Sequence, residues 1–99
     1  MTGAVRLAAS GKGRGSHSAW FNEAGELVVE WYDFGEDVPY ESANILYFGP
    51  DAQVQLLGEK LDPPLALQRL GERFESWWQV KDAARRQGIA FRSEVDFQP

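Results

Sequence analysis

Leu27-Val28-Val29-Glu30-Trp31-Tyr32-Asp33-Phe34 is the stretch that decides the fold class. Its side chains keep a period of two: Leu27, Val29 and Trp31 share one face of an extended chain, and Val28, Glu30 and Tyr32 share the other. One face is apolar throughout and the other is mixed, as in a strand with one side against a core. Just before it, Glu23-Ala24-Gly25-Glu26 reads as a tight turn, with Gly25 free to take the positive φ that a hairpin needs. Ser18 to Asn22 then forms the returning strand, with Trp20 on one face and Ala19 and Phe21 on the other. Further upstream, Ser10-Gly11-Lys12-Gly13-Arg14-Gly15-Ser16 reads as a flexible loop or wide hairpin tip. Ala4 to Ala9 is a short strand in which Val5 and Leu7 alternate with Ala4 and Arg6.

Downstream, Gly35 to Ser42 is a polar loop around Pro39, which has no N–H for a central ladder. Ile45 to Phe48 is an apolar, aromatic strand closed by Gly49-Pro50. These segments compose an antiparallel meander. The period then changes. Pro50 to Leu61 reads as a helix with Val54, Leu57 and Leu61 on one side, although Gln53-Val54-Gln55-Leu56 also alternates like a strand. Asp62-Pro63 is a helix start, a capping carboxylate followed by proline at the first helical position. Leu67, Leu70, Phe74, Trp77 and Ala84 follow at helical spacing. Lys81 interrupts that stripe where its stem can lie along the apolar face, and Gly71 is the residue expected to kink or divide the segment. Arg85 and Arg86 suit the last turn, and Gly88 caps it. From Ile89 to Phe97 the period returns to two, with Ile89, Phe91, Ser93, Val95 and Phe97 on one side and Ala90, Arg92, Glu94 and Asp96 on the wet side. The order predicts an α+β fold, an antiparallel sheet of about four to five strands covered on one face by one or two helices.

Ninety-nine residues make one domain, 1–99. With no cysteine there is no disulfide and no thiolate metal site. The first ten residues are too short and too weakly apolar for a signal peptide, and no apolar run reaches the roughly 18 residues of a membrane span. A soluble, cytoplasmic chain is the expectation. A formal net charge of −5 makes nucleic acid an unlikely partner, since phosphate neutralisation dominates such affinity.

That net charge conceals a strong asymmetry. Gly15 to Glu59 carries no Lys or Arg but nine carboxylates: Glu23, Glu26, Glu30, Asp33, Glu36, Asp37, Glu41, Asp51 and Glu59. It also holds eight of the thirteen aromatic residues: Trp20, Phe21, Trp31, Tyr32, Phe34, Tyr40, Tyr47 and Phe48. In one reading Trp31, Tyr47 and Phe48 are core, and the acids are the solvated face of a sheet. In the other the acids are held together for a basic partner. Two carboxylates about 6 Å apart repel by roughly 0.7 kcal/mol even in water, a penalty that a docking cation relieves. The densest spot is the loop from Asp33 to Glu41, where Tyr32, Asp33, Phe34, Glu36, Asp37, Tyr40 and Glu41 combine aromatic anchors with steering charges.

Other chemistries fit less well. Asp33, Glu36, Asp37 and Glu41 offer oxygen ligands, but not at the alternating positions of a twelve-residue calcium loop. His17, the single histidine, lies between Ser16 and Ser18, yet no Gly-x-Ser-x-Gly elbow accompanies it; a surface position in a hairpin arm is expected. Gly11-Lys12-Gly13-Arg14-Gly15 lacks phosphate-loop spacing and precedes a strand rather than a helix. Trp77 and Trp78 lie about 100° apart on a helix, so Trp77 continues the core stripe and Trp78 sits at its edge, closing the core over the sheet or contacting another chain.

The expected function is therefore that of a non-catalytic binding protein, without cofactor or metal, that uses Tyr32, Phe34 and Tyr40 for packing and Glu36, Asp37 and Glu41 to occlude a cationic site. In size and charge character the chain resembles the immunity proteins that neutralise a bacterial toxin, often a nuclease, and the resemblance implies a basic protein partner. Two alternatives belong to other classes. One is a small nucleic-acid module, with Trp20, Tyr32 or Tyr40 stacking bases and Lys12, Arg14, Arg85 and Arg86 holding phosphates. The other is a homodimer or larger homo-oligomer associated through its aromatic strand face.

Overall fold

The strand read first from the sequence, β3 (Leu27–Asp33), is the middle strand of a five-stranded antiparallel sheet. The computed structural model describes residues 3–9, 15–33 and 41–98. Around β3 lie β1 (Val5–Arg6), β2 (Ser16–Phe21), β4 (Glu41–Phe48) and β5 (Arg92–Gln98), in the spatial order β1-β2-β3-β4-β5. Between β4 and β5 the chain forms α1 (Pro50–Leu57), α2 (Pro63–Arg73) and α3 (Trp77–Gln87). The α+β architecture matches the sequence expectation, with three helices in place of one or two.

The hairpin between β2 and β3 forms as its turn residues dictate. Gly25 takes φ 79° and its N–H donates to the Asn22 carbonyl at 3.0 Å. The Asn22 side chain accepts from the Glu26 N–H at 2.9 Å and donates to Glu26 Oε1 at 3.0 Å. In register, Leu27, Val29 and Trp31 face Phe48, Leu46 and Asn44 on one side and Phe21, Ala19 and His17 on the other. This face meets the helices. Leu27, Val29, Leu46 and Phe48 are fully buried with Leu56, Leu57, Leu67, Leu70 and Val80, and each such side chain contributes about 1.5–3 kcal/mol.

Several local details differ from the sequence reading, among them β1, which spans only Val5–Arg6, and β2, which starts at Ser16 rather than the expected Ser18. Strand β4 begins at Glu41, four residues before the expected Ile45, because its polar first half still pairs with Trp31 to Asp33. Segment 50–61 is a helix only to Leu57, where Gly58 turns left-handed (φ 87°) and its N–H bonds the Val54 carbonyl. Leu61 lies past that end, so the buried side of α1 is Ala52, Leu56 and Leu57, with Val54 exposed. The long helical stretch does divide, but not at Gly71, which stays inside α2. The chain leaves the helix at Phe74, and Ser76 starts α3 by accepting the Gln79 N–H at 3.2 Å while Gln79 Oε1 accepts the Glu75 N–H at 2.6 Å. Ser76 caps the new helix and Gln79 reaches back to Glu75, one residue before that cap; the two bonds fix the start of α3 there, whereas one glycine only weakens a helix. Finally, β5 begins at Arg92 rather than Ile89, which is buried just before it.

Candidate functional site

All three helices pack on one side of the sheet, so among the described residues the other side carries no helix. Three cross-strand rows define that open face. The first is Trp20, Val28, Tyr47 and Arg92; the second Ser18, Glu30, Ile45 and Glu94; the third Ser16, Tyr32, Ala43 and Asp96. Glu41 lies one step further along β4, and Arg6 flanks Ser18 at the β1 edge. Small and apolar residues occupy the middle: Val28, between Trp20 and Tyr47, is only 2% exposed, and Ala43 is buried. Around them stand Tyr32, Tyr47 and four carboxylates, Glu30, Glu41, Glu94 and Asp96.

The groups are held in place by one another. The Tyr32 hydroxyl donates to Glu41 Oε2, and the Tyr47 hydroxyl donates to Glu94 Oε2 at 3.2 Å. Hydrogen bonding to the Glu41 carboxylate, then burial, then the charges of Glu41, Glu30 and Asp96 push the Tyr32 phenol above its ordinary range. Tyr47 moves the same way through burial first and then the charge of Glu94. Burial raises Glu30, whose ionised form is disfavoured in the middle of the sheet. Arg92 is already engaged. Its guanidinium lies 4.1 Å from the Tyr47 ring centre, 3.3 Å from Glu26 Oε1 and 3.9 Å from Glu94 Oε1. The face therefore combines an apolar floor, two phenols and a surplus of negative charge that rises in cost as it is crowded.

Of the residues singled out from the sequence, Tyr32 and Glu41 are brought together on this face. Asp33 is not: it pairs with Ser42 and alternation turns it to the opposite side of the sheet. Phe34, Glu36, Asp37 and Tyr40, like Lys12 and Arg14, lie outside the described residues. Tyr47, read as a candidate core residue, is on the open face. Glu30, Glu94 and Asp96 were not among the expected site residues. For Glu94 and Asp96 the signal was present in the alternation of the last strand, but its place beside β4 is a long-range pairing that local pattern does not specify.

His17 is a correction. It is 2% exposed, because β2 begins at Ser16 and directs His17, with Ala19 and Phe21, toward the helices. Its Nδ1 accepts the Trp77 N–H at 3.0 Å, which places the ring proton on Nε2. Burial holds its pKa below the ordinary histidine value. Trp31 stacks beside it at 6.4 Å and Trp78 tilts over it at 5.1 Å. Trp78, 49% exposed and 4.3 Å from Trp31, closes the edge of the core as its position on the helix implied. Ser16 and Ser18 point to the other side of the sheet, so neither hydroxyl can exchange a proton with His17. Lys81 also sits as expected, its Nζ 5.1 Å from the Trp77 ring centre.

Among the described residues no group of three or more histidines and carboxylates could hold a metal ion, and no helix is long and apolar enough to cross a membrane. Fold and face together define an α+β sheet with one helix-covered side and one acidic, aromatic side. Comparison of the chain with protein-family models, curated proteins and solved structures finds no match.

Proposed function

We propose that this chain is a non-catalytic binding protein whose open sheet face takes a basic protein partner, as an immunity-type inhibitor takes a toxin or nuclease. The observation that carries this reading is the convergence of Glu30, Glu41, Glu94 and Asp96 on one helix-free face that also presents Tyr32 and Tyr47. Two of those acids come from the acidic segment and two from the distant last strand, so the negative surface is a product of the fold. The phenols supply amphipathic contact area at low entropic cost, and the carboxylates steer and then neutralise a cationic site. Occlusion follows: the carboxylates occupy positions where the partner would hold phosphate.

The test is affinity capture from the source cell's lysate at low and high salt, with the wild-type chain and a Glu30→Lys/Glu94→Lys variant side by side. Wild type should retain a basic protein at low salt and release it at high salt. Reversing the two charges, at roughly 1 kcal/mol each, should weaken capture by about thirtyfold, with circular dichroism confirming that the variant remains folded at the assay temperature. Equal capture by both chains would remove this face as the binding site.

A further inference from the structure

Strand β5 ends the sheet. It is seven residues long, and among the described residues no strand or helix covers its outer edge. The opposite edge is the two-residue β1, too short to serve as a template. Sheet edges are ordinarily blunted by brevity, proline, bulges or charged side chains, lysine above all, and the charges of β5, Arg92, Glu94 and Asp96, all fall on one face. From Arg92 to Gln98 the strand has no proline and no lysine, and it pairs with β4 without interruption from Arg92 to Gln98. Its two faces differ in kind. Glu94 and Asp96 turn toward the open acidic face, whereas Val95 and Phe97 turn toward the helix side but extend past the helices, 55% and 61% exposed. The sequence expectation that this apolar side is buried holds for Ile89 and for Phe91, which packs against Phe48, and is corrected for Val95 and Phe97.

We propose that β5 accepts an extended segment of the basic partner as a sixth strand, one in which lysine or arginine alternates with apolar side chains. The proposal rests on the basic-partner reading above and names the mode of contact. Backbone hydrogen bonds to the edge supply affinity, and the two alternating side-chain sets supply selectivity. Cationic residues of the added strand fall beside Glu94 and Asp96, continuous with Glu30 and Glu41. Apolar residues fall beside Val95 and Phe97.

Charge selects this occupant over a second copy of the chain. Two copies, each of formal net charge −5, repel at long range. At close range, antiparallel self-pairing centred on Val95 sets Glu94 against Asp96 twice, and centring on Asp96 sets that residue against itself. Centring on Glu94 pairs Arg92 with Asp96, but it opposes Glu94 to itself and withdraws Arg92 from Tyr47 and Glu26. Centring on Ser93 sets Arg92 against Glu94 and centring on Phe97 sets Asp96 against Gln98, but these registers pair only Arg92 to Glu94 or Asp96 to Gln98 of each strand and leave the rest of the edge open. A basic alternating strand meets none of these conflicts.

The probe is an acetylated octapeptide of alternating lysine and valine, compared with its fully backbone-N-methylated counterpart, which keeps every side chain and charge but cannot donate to a ladder. Binding to the full chain is followed by amide NMR and hydrogen exchange. The expected result is slowed exchange of alternate β5 amides, with affinity at least about tenfold weaker for the methylated peptide, as removal of two or three backbone hydrogen bonds requires. Val95→Lys, at a half-exposed position that the fold tolerates, should weaken the unmethylated peptide about fivefold through the lost apolar contact. Equal binding of both peptides would overturn strand addition and leave the acidic-face reading standing. No binding of either peptide would count against both. A dimer in sedimentation that Val95→Lys dissociates would assign the edge to a second copy and overturn the basic-strand proposal.

Discussion

Mild acidification should lower the stability of this protein through a single buried ring. His17 is enclosed by Trp31, Trp77 and Trp78, and its Nδ1 is the acceptor for the Trp77 N–H that begins α3. A second ring proton would sit on Nδ1 and break that bond, and burial independently disfavours the cation, so the folded pKa lies below the unfolded value of 6.5. The unfolded chain therefore binds the proton first. Stability is unaffected by His17 well above pH 6.5 and declines as pH falls below it, until the folded chain also protonates. For one proton the limiting slope is about 1.4 kcal/mol per pH unit, which amounts to at most about 1.4 kcal/mol lost between pH 8 and pH 5.5. Glu30 acts with the opposite sign and later. Its folded pKa is raised above 4.5, so protonation at acid pH favours the folded chain. The assay is urea unfolding followed by tryptophan fluorescence across this range, for wild type and for His17→Asn, whose side-chain oxygen can still accept from Trp77. The variant should start lower by about 1–3 kcal/mol because it fills less space, and it should lose the slope between pH 7 and 5.5. Parallel pH profiles for the two chains, or a wild type that gains stability in this window, would refute the assignment.

Two further substitutions test how the same region is built. Gly15→Ala should cost about 2–4 kcal/mol in urea unfolding, because φ is 114° and an added Cβ would lie 2.6 Å from the Tyr32 carbonyl oxygen and 2.7 Å from Trp31 Nε1; a loss under about 0.5 kcal/mol would contradict this packing. Ser76→Ala should cost about 1 kcal/mol by removing the cap of α3, and Ser76→Asp should restore most of it; equal melts for the alanine and aspartate variants would show that the cap contributes nothing.

Much of the architecture is local and therefore legible. The alternation of Leu27 to Asp33, the positive-φ turn at Gly25, the Asp62-Pro63 helix start and the Gly88 cap each depend on a few adjacent residues, and each forms where those residues place it, although the Asp62 carboxylate makes no capping hydrogen bond. The break before α3 was written just as locally in Ser76-Trp77-Trp78-Gln79, but the helical spacing running from Leu67 to Ala84 masked it. The stripe of α1 misled for a different reason: Leu61 fits a helical period only if the helix continues past Gly58.

The candidate site divides in the same way. By itself the sequence determined an acidic, aromatic half, an α+β chain and the placing of Tyr32 on the strand face opposite Leu27, Val29 and Trp31, because charge content and period are properties of neighbours. Only the tertiary structure decided that Glu41, Glu94 and Asp96 join the face holding Tyr32, that His17 is enclosed under tryptophans, and that Val95 and Phe97 stay exposed. Those outcomes depend on which strand pairs with which and on where three helices end. Such long-range choices are settled by packing the whole chain, and no local pattern in β5 specifies its place beside β4.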